Sequence, residues 1–279
     1  MSDSASGVPA AATNGIFAKM QWIRYYGPRL YHAVGHDVKQ RYAGSILGIL
    51  WAFLYPLALL AFYATIYVLI FKIRAPSLSS EGYTIMVMAG LVPILMFTET
   101  VSMGLSSVLG QKSLLLNTVF PAELLPVRAV LAGQVPSVSA LLITVVAALW
   151  QGQTSLLLVL TVIPVMWVLL IMFVMGLAWI LSLVVLVARD IQQAIGIVFM
   201  AITVLSPMAY TPEMVPSGLQ LILWLNPISY FILCFQSAMA FGRWPDPAIF
   251  AVAVMLALGS FASGLYFFRR TKFVFMDHA

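Results

Sequence analysis

LLLNTVFPAELLPVR, residues Leu114 to Arg128, is a short amphipathic piece set between two long apolar runs, Tyr83 to Gly110 and Ala129 to Trp150. Each run is long enough to cross a bilayer, whose ~30 Å hydrocarbon core takes about 20 helical residues. The stretch between them therefore lies at a membrane face, and the fold is a bundle of membrane helices. Leu114, Leu115 and Leu116 make an apolar start, Asn117 is a helix cap, Pro121 opens a second short helix and Pro126 limits it. A segment of this character lies along the membrane or seats in a partner's groove. An ordinary loop between two spans is the alternative that the residues alone leave open.

Composition agrees. The 279 residues are 62% hydrophobic and 8% charged, with a mean hydropathy of +1.02. A soluble domain of that make-up would expose large apolar patches. The net charge of +5 fits anchoring beside a membrane, because no basic patch interleaved with aromatics marks a nucleic-acid surface. Cys234 has no second cysteine to pair with. Residues 1–27 begin with a Ser/Ala/Gly-rich stretch lacking the basic start and apolar run of a signal peptide, and read as a disordered tail ahead of a membrane domain at 28–279.

Along that domain, 28–42 places Leu30, Val34 and Val38 on one face, the pattern of an amphipathic helix lying at the interface. His32 and His36 have a metal-ligand spacing but no third ligand accompanies them, so no metal is expected. Six spans follow: Ile46–Phe71, Tyr83–Gly110, Ala129–Trp150, a fourth within Ser155–Ala188 whose start is placed in the interface before Pro164, Ile191–Tyr210, and Ala248–Phe268. Between the last two, prolines and glycines break an apolar stretch, and Asn226-Pro227 is a helix-start signal where a full span would need continuity. Residues 212–242 therefore read as two short re-entrant helices. With both termini on the cytoplasmic side, eleven of the fourteen Lys and Arg residues fall inside, as the positive-inside rule requires.

Chemistry is sparse. GLSSVLGQKS at 104–113 fails as a phosphate-binding loop, because Gln111 splits Gly110 from Lys112 and an apolar helix precedes it. No catalytic constellation is present in the sequence, and an enzyme is not expected. Glu99 is the one ionisable residue well inside a span, read either as a substrate contact or as a hydrogen-bonding partner across a helix interface. Tyr63, Tyr67 and Phe71 recur every four residues along one face of the first span, which makes them an interfacial belt or the lining of a conduit for sugar rings.

RYAGSILGILWAFLYP at 41–56, GLVPILMFTE at 90–99, NTVFPAELLPV at 117–127, ARDI at 188–191 and LNPISYF at 225–231 together resemble the membrane subunits of bacterial ATP-binding-cassette exporters of polysaccharides. The resemblance covers most of residues 36–270. It implies a homodimer in the bacterial inner membrane that binds two separate ABC ATPase subunits. Such pairs export lipid-linked O-antigen, capsular polysaccharide or teichoic acid. ATP and Mg would sit on the partner and no cofactor on this chain.

On the same resemblance, 112–128 is the coupling segment, with Leu115, Asn117, Phe120, Glu123 and Arg128 facing the ATPase, 28–42 is the interface helix, and 212–242 holds the outer re-entrant helices. Arg24, Arg29 and Arg41 become candidates for holding the diphosphate of a polyprenyl carrier, with anchoring to anionic lipid as the alternative. Tyr63, Tyr67, Phe71 and Glu99 become substrate-path candidates. An ABC exporter of a drug or small lipid and a membrane-embedded polyprenyl-linked sugar transferase are the competing functions.

Overall fold

The computed structural model describes residues 16–71, 78–111 and 121–277, and among them every regular element is helical. In chain order these are α1 (Ile16–Arg41), α2 (Trp51–Ala64), α3 (Ser80–Ser106), α4 (Leu124–Ala132), α5 (Gln134–Trp150), α6 (Leu156–Val187), α7 (Ile191–Leu205), α8 (Gln220–Leu225), α9 (Pro227–Met239) and α10 (Pro247–Asp277). A 3₁₀ turn at Gly48–Leu50 leads into α2, and a π-helical turn at Thr65–Ile70 extends it. Five of these stretches are long and apolar enough to cross a membrane, or up to six if the bent pair Ser217–Leu225 and Pro227–Met239 counts as one span.

The central post is α3. Ser79 caps it by accepting a hydrogen bond from the Gly82 N–H at 3.1 Å, and Glu81 sits in its first turn, where a helix N-terminus favours negative charge. It is buried along most of its length against α4, α5, α6 and α9. Two glycines permit this. A Cβ on Gly104 would stand 2.6 Å from the Ala178 Cβ of α6, and one on Gly90 would stand 2.7 Å from the Met208 Cα.

The tightest seam joins α6 to α10. A Cβ on Gly176 would come 2.1 Å from the Ser260 carbonyl oxygen, and one on Gly264 would come 2.2 Å from the Gly176 carbonyl oxygen. The Ser260 hydroxyl donates to the Phe173 carbonyl at 2.8 Å. Small residues bring two backbones into contact here, which is how membrane helices gain packing energy when lipid supplies no hydrophobic drive between them.

Several boundaries differ from the sequence expectation. α1 begins at Ile16, inside the stretch read as a tail, and carries Pro28 within it. Ile16, Phe17, Met20 and Ile23 continue the helical apolar spacing of the later part. Its inward face is Tyr26, Leu30, Val34 and Val38, as the pattern implied, with Arg24, Arg29, His32, His36 and Lys39 exposed on the other side. α6 is one helix of 32 residues, about 48 Å long, that runs unbroken through Pro164. Its first turns are held by Ser155 capping the Leu158 N–H and by burial of Leu158, Val162 and Ile163.

The fifth apolar run also ends early. α7 stops at Leu205, and its 15 residues reach about 22 Å, short of a ~30 Å hydrocarbon core. Pro207 ends the helix, and the backbone of 207–209 is then occupied otherwise: Gln236 Nε2 donates to the carbonyls of Pro207 (2.9 Å) and Met208 (3.2 Å), and the Tyr83 hydroxyl to that of Ala209 (2.8 Å). At Asn226-Pro227 the chain turns through 95° between the short helical segment Ser217–Leu225 and α9. Asn226 caps α9 by accepting from the Ile228 N–H at 3.1 Å, with Pro227 at the first helical position.

Candidate coupling face and aromatic cluster

At one end of the bundle three ion pairs fasten α1 to α4, the last turns of α10 to the turn just ahead of α4, and the end of α1 to α3. Arg128 grips Asp37 with two prongs, Nε to one carboxylate oxygen at 2.5 Å and Nη2 to the other. Their side chains are only 12% and 16% exposed, so this pair is largely withdrawn from water. Lys272 Nζ lies 2.8 Å from Glu123, whose backbone carbonyl also accepts from the Trp179 indole at 3.0 Å. Arg41 meets Glu99 at 2.5 Å and touches the Met103 sulfur at 3.3 Å. Fork-shaped arginine-carboxylate contacts carry orientation as well as charge.

The structure thus brings Glu123 and Arg128 to one face, each held by a distant segment. Leu115, Asn117 and Phe120 lie in 112–120, outside the described residues. The expectation that Pro126 limits the second helix is overturned. α4 starts at Leu124 after a turn in which the Leu124 N–H bonds the Pro121 carbonyl at 2.9 Å, so Pro126 falls in the first helical turn. There a missing N–H costs nothing, and the helix runs on to Ala132.

Arg41 and Glu99, assigned to different tasks by sequence, are one pair. Of the other two arginines, Arg29 lies 3.9 Å above the Tyr25 ring and Arg24 is exposed on the same helix. Among the described residues no three His, Cys, Asp or Glu converge as a metal site.

At the opposite end, Tyr63 and Tyr67 stack with ring centroids 6.3 Å apart and 14° between planes, and Tyr67 meets Phe71 edge-on at 5.8 Å. Tyr63 and Tyr67 are half-buried against the bundle, while Phe71 is exposed. Tyr67 is also an electrostatic neighbour of Tyr83 and Tyr210, so a cluster of aromatics rather than a single stripe gathers here. The π turn beneath it, marked by the Phe71 N–H bonding the Ile66 carbonyl at 2.9 Å, is a break of the kind found at functional positions. On the adjoining surface Thr211 hydrogen-bonds Glu213 and holds its carboxyl below the usual carboxylate range, with Arg243 adding attraction.

Gln236 was not singled out from the sequence. It is fully buried and bonds three carbonyls, the third being Met86 of α3 at 3.3 Å. Its signal was there: one amide in the otherwise apolar run ISYFILCFQ, which in lipid demands partners.

Residues 30–240 match the sequence profile of the ABC-2 type transporter family. The chain belongs to that family. Membership makes it the membrane-embedded, multi-pass part of a transporter that works with an ABC ATPase, and a transport subunit in place of an enzyme. The chain is also similar to the O-antigen export system permease protein RfbA of Myxococcus xanthus, 28% identical over 254 residues that cover 89% of this chain and 95% of that one. A protein of the same name from Klebsiella pneumoniae is 26% identical over 200 residues, covering 72% of this chain and 75% of its own. The matched region runs from Leu30 in α1 to Ala240 at the end of α9 and so takes in the Asp37–Arg128 and Arg41–Glu99 pairs, both membrane ends and the bent α8–α9 corner.

Proposed function

We propose that this chain is the permease of an ATP-driven exporter of lipid-linked polysaccharide, O-antigen or capsular polymer, in the bacterial inner membrane. The observation that carries the reading is similarity to O-antigen export permeases along nearly the whole length of both chains. Two copies form the path and two ABC ATPase subunits drive it. Their contact is the 112–128 segment, and α1 is the interface helix. Both termini are cytoplasmic, which puts the ion-paired end inside and the aromatic cluster, with re-entrant helices over 212–242, outside.

The weakly buried helices favour a second copy. No residue of α7 is buried, α2 exposes Phe53 and Phe62, and the π turn that extends it exposes Leu69 and Ile70. Movement of the ATPase pair pushes on Glu123 and Arg128, and the ion pairs pass that push to α1 and α10. Tyr63 and Tyr67 offer flat faces to passing pyranose rings, while Arg24, Arg29 and Arg41 stand where a carrier diphosphate would arrive.

The test is genetic and biochemical together. Deleting the gene should abolish polymer at the cell surface and trap lipid-linked polymer inside. Restoration should need both this chain and a hydrolysis-competent ATPase. Normal surface polymer in the deletion strain, with loss of drug or small-lipid efflux, would replace the polymer with a smaller cargo.

A further inference from the structure

Two polar side chains at the start of α5 are buried with their needs unmet. Gln134 is 8% exposed and Ser137 1%, yet the Gln134 amide oxygen and the Ser137 hydroxyl have no hydrogen-bond partner among the described residues. Residues three apart on a helix share a face. Gln134 shows where that face looks, since its Nε2 donates to the Thr100 hydroxyl oxygen of α3 at 3.4 Å and to the Val130 carbonyl of α4 at 3.2 Å. Gly133, just ahead, rests on the same spot: a Cβ there would stand 3.3 Å from the Thr100 Cα. Thr100 is fully buried, and the whole site falls within the apolar stretch Leu124–Trp150 that is long enough to cross a membrane.

Local rearrangement does not cure the deficit. Turning the Gln134 amide over would trade an orphan oxygen for an orphan NH2 and take the donor away from Val130. Ser137 also differs from the other hydroxyls of its helix. Ser139 donates to the Val135 carbonyl at 3.1 Å and Thr144 to the Ala140 carbonyl at 2.9 Å, the usual internal bond to the residue four back. Ser137 makes no such bond. Pro136, in the same turn, has no N–H to offer the carbonyl four residues behind it. Lipid supplies neither donors nor acceptors, and a buried polar group left unpaired is costly.

The unmet needs define the ligand. An amide oxygen wants a donor, and a hydroxyl wants an acceptor for its hydrogen. A cation would satisfy the oxygens but leave the hydroxyl hydrogen without an acceptor. Water both donates and accepts, is neutral like the three side chains, and in protein interiors typically makes about three hydrogen bonds to groups of this kind.

We infer that the contact between α3 and α5 is completed by an internal water that donates to the Gln134 amide oxygen and accepts from the Ser137 hydroxyl. The Thr100 hydroxyl, already beside the Gln134 amide, is its third partner. Because Gln134 also bonds the Val130 carbonyl, the water helps tie α4, the helix that carries Arg128, to the central post.

The experiment determines electron cryo-microscopy maps of the full transporter, with its ATPase, at a resolution that shows ordered waters, for the wild type and for Ser137→Ala, and measures thermal unfolding of both. Density within hydrogen-bond distance of Gln134 Oε1 and Ser137 Oγ is expected in the wild type and should weaken or vanish in Ser137→Ala. The unfolding midpoint decides separately, by its sign. Removing a hydroxyl that bonds to nothing leaves a protein unchanged or more stable, whereas removing one partner of a bound water lowers the midpoint, here by about 2–4 °C. Ser139→Ala, which loses only a bond within its own helix, is the control and should shift the midpoint less.

A wild-type map with ordered waters elsewhere in the bundle and none here would overturn the proposal. So would a map in which the Ser137 hydroxyl bonds the Gln134 oxygen directly, or a Ser137→Ala variant at least as stable as the wild type.

Discussion

Asp37 and Arg128 are 91 residues apart in the chain, and their contact sets how firmly α1 is tied to α4 and to the segment proposed above to meet the ATPase. Replacing Asp37 by Ala leaves a guanidinium that is 12% exposed without its carboxylate, and replacing Arg128 leaves a carboxylate that is 16% exposed without its cation. Removing one partner of a buried pair costs about 3–5 kcal/mol, because the survivor is left uncompensated. The partial exposure here places each single variant near the lower figure. Removing both leaves no stranded charge, so the double variant should cost clearly less than the two singles added, with a coupling energy of about 2–3 kcal/mol. The magnitude matches two charge-assisted hydrogen bonds at about 1.5–3 kcal/mol each, less the water that still reaches the pair.

Unfolding in mixed micelles, with all four members of the cycle measured under one set of conditions, gives the coupling directly. Transport should follow the same order, with the Asp37→Arg/Arg128→Asp exchange recovering part of both readouts. A coupling below about 0.5 kcal/mol would equate the pair with an ordinary surface bridge and remove the argument that α1 and the coupling segment move as one body.

The glycine seam predicts that Gly264→Ala is severely destabilising, on the order of 3 kcal/mol or more since the obstacle is backbone, while Gly259→Ala on the same helix, with nothing within 4 Å, is harmless; thermal unfolding of the two variants separates them. Gln236→Leu strands the Pro207 and Met208 carbonyls and should cost about 2–4 kcal/mol in the same assay, with Gln236→Met no better because shape is not the deficit. Tyr63→Ala/Tyr67→Ala should lower polymer export while ATPase activity and dimer assembly persist, and the Phe versions should export normally; normal export by the Ala versions would make these rings an interfacial belt. Cysteines placed at Gly218 and Asp246 in a Cys234-free background should both label from outside, and labelling from opposite faces would turn the bent α8–α9 corner into a broken span.

Five of the six expected spans were legible because lipid imposes one simple demand, a run of uncharged residues near 20 long, and it is the α7 helix that falls short of it. Asn226-Pro227 was legible for a local reason, since a cap followed by proline starts a helix whatever lies around it. The inward face of α1 followed from period alone. What the sequence could not reveal was pairing across distance. Arg41, Arg128 and Lys272 looked like three of many cations near a membrane, and only the packing of α1, α3, α4 and α10 brings Glu99, Asp37 and Glu123 to them. The early end of α7 was hidden similarly. Residues 206–210 are as apolar as a helix needs, but the Gln236 amide and the Tyr83 hydroxyl claim their carbonyls from elsewhere in the chain.

The seam between α6 and α10 has a mechanical meaning. Where two helices meet through backbone atoms there is no layer of side chains to shear, so neither can slide or roll on the other without losing the contact outright. α6 and α10 therefore behave as one stiff beam, and α3, locked to it through Gly104 and Ala178, thickens that beam. Lys272 sits near one end of it, holding Glu123. A force applied at Glu123 is thus delivered to the full depth of the membrane with little loss. The give in the molecule has to come from the thinly attached members: α2, which rests mainly on α5, and α7, which touches α3 and α6 only lightly.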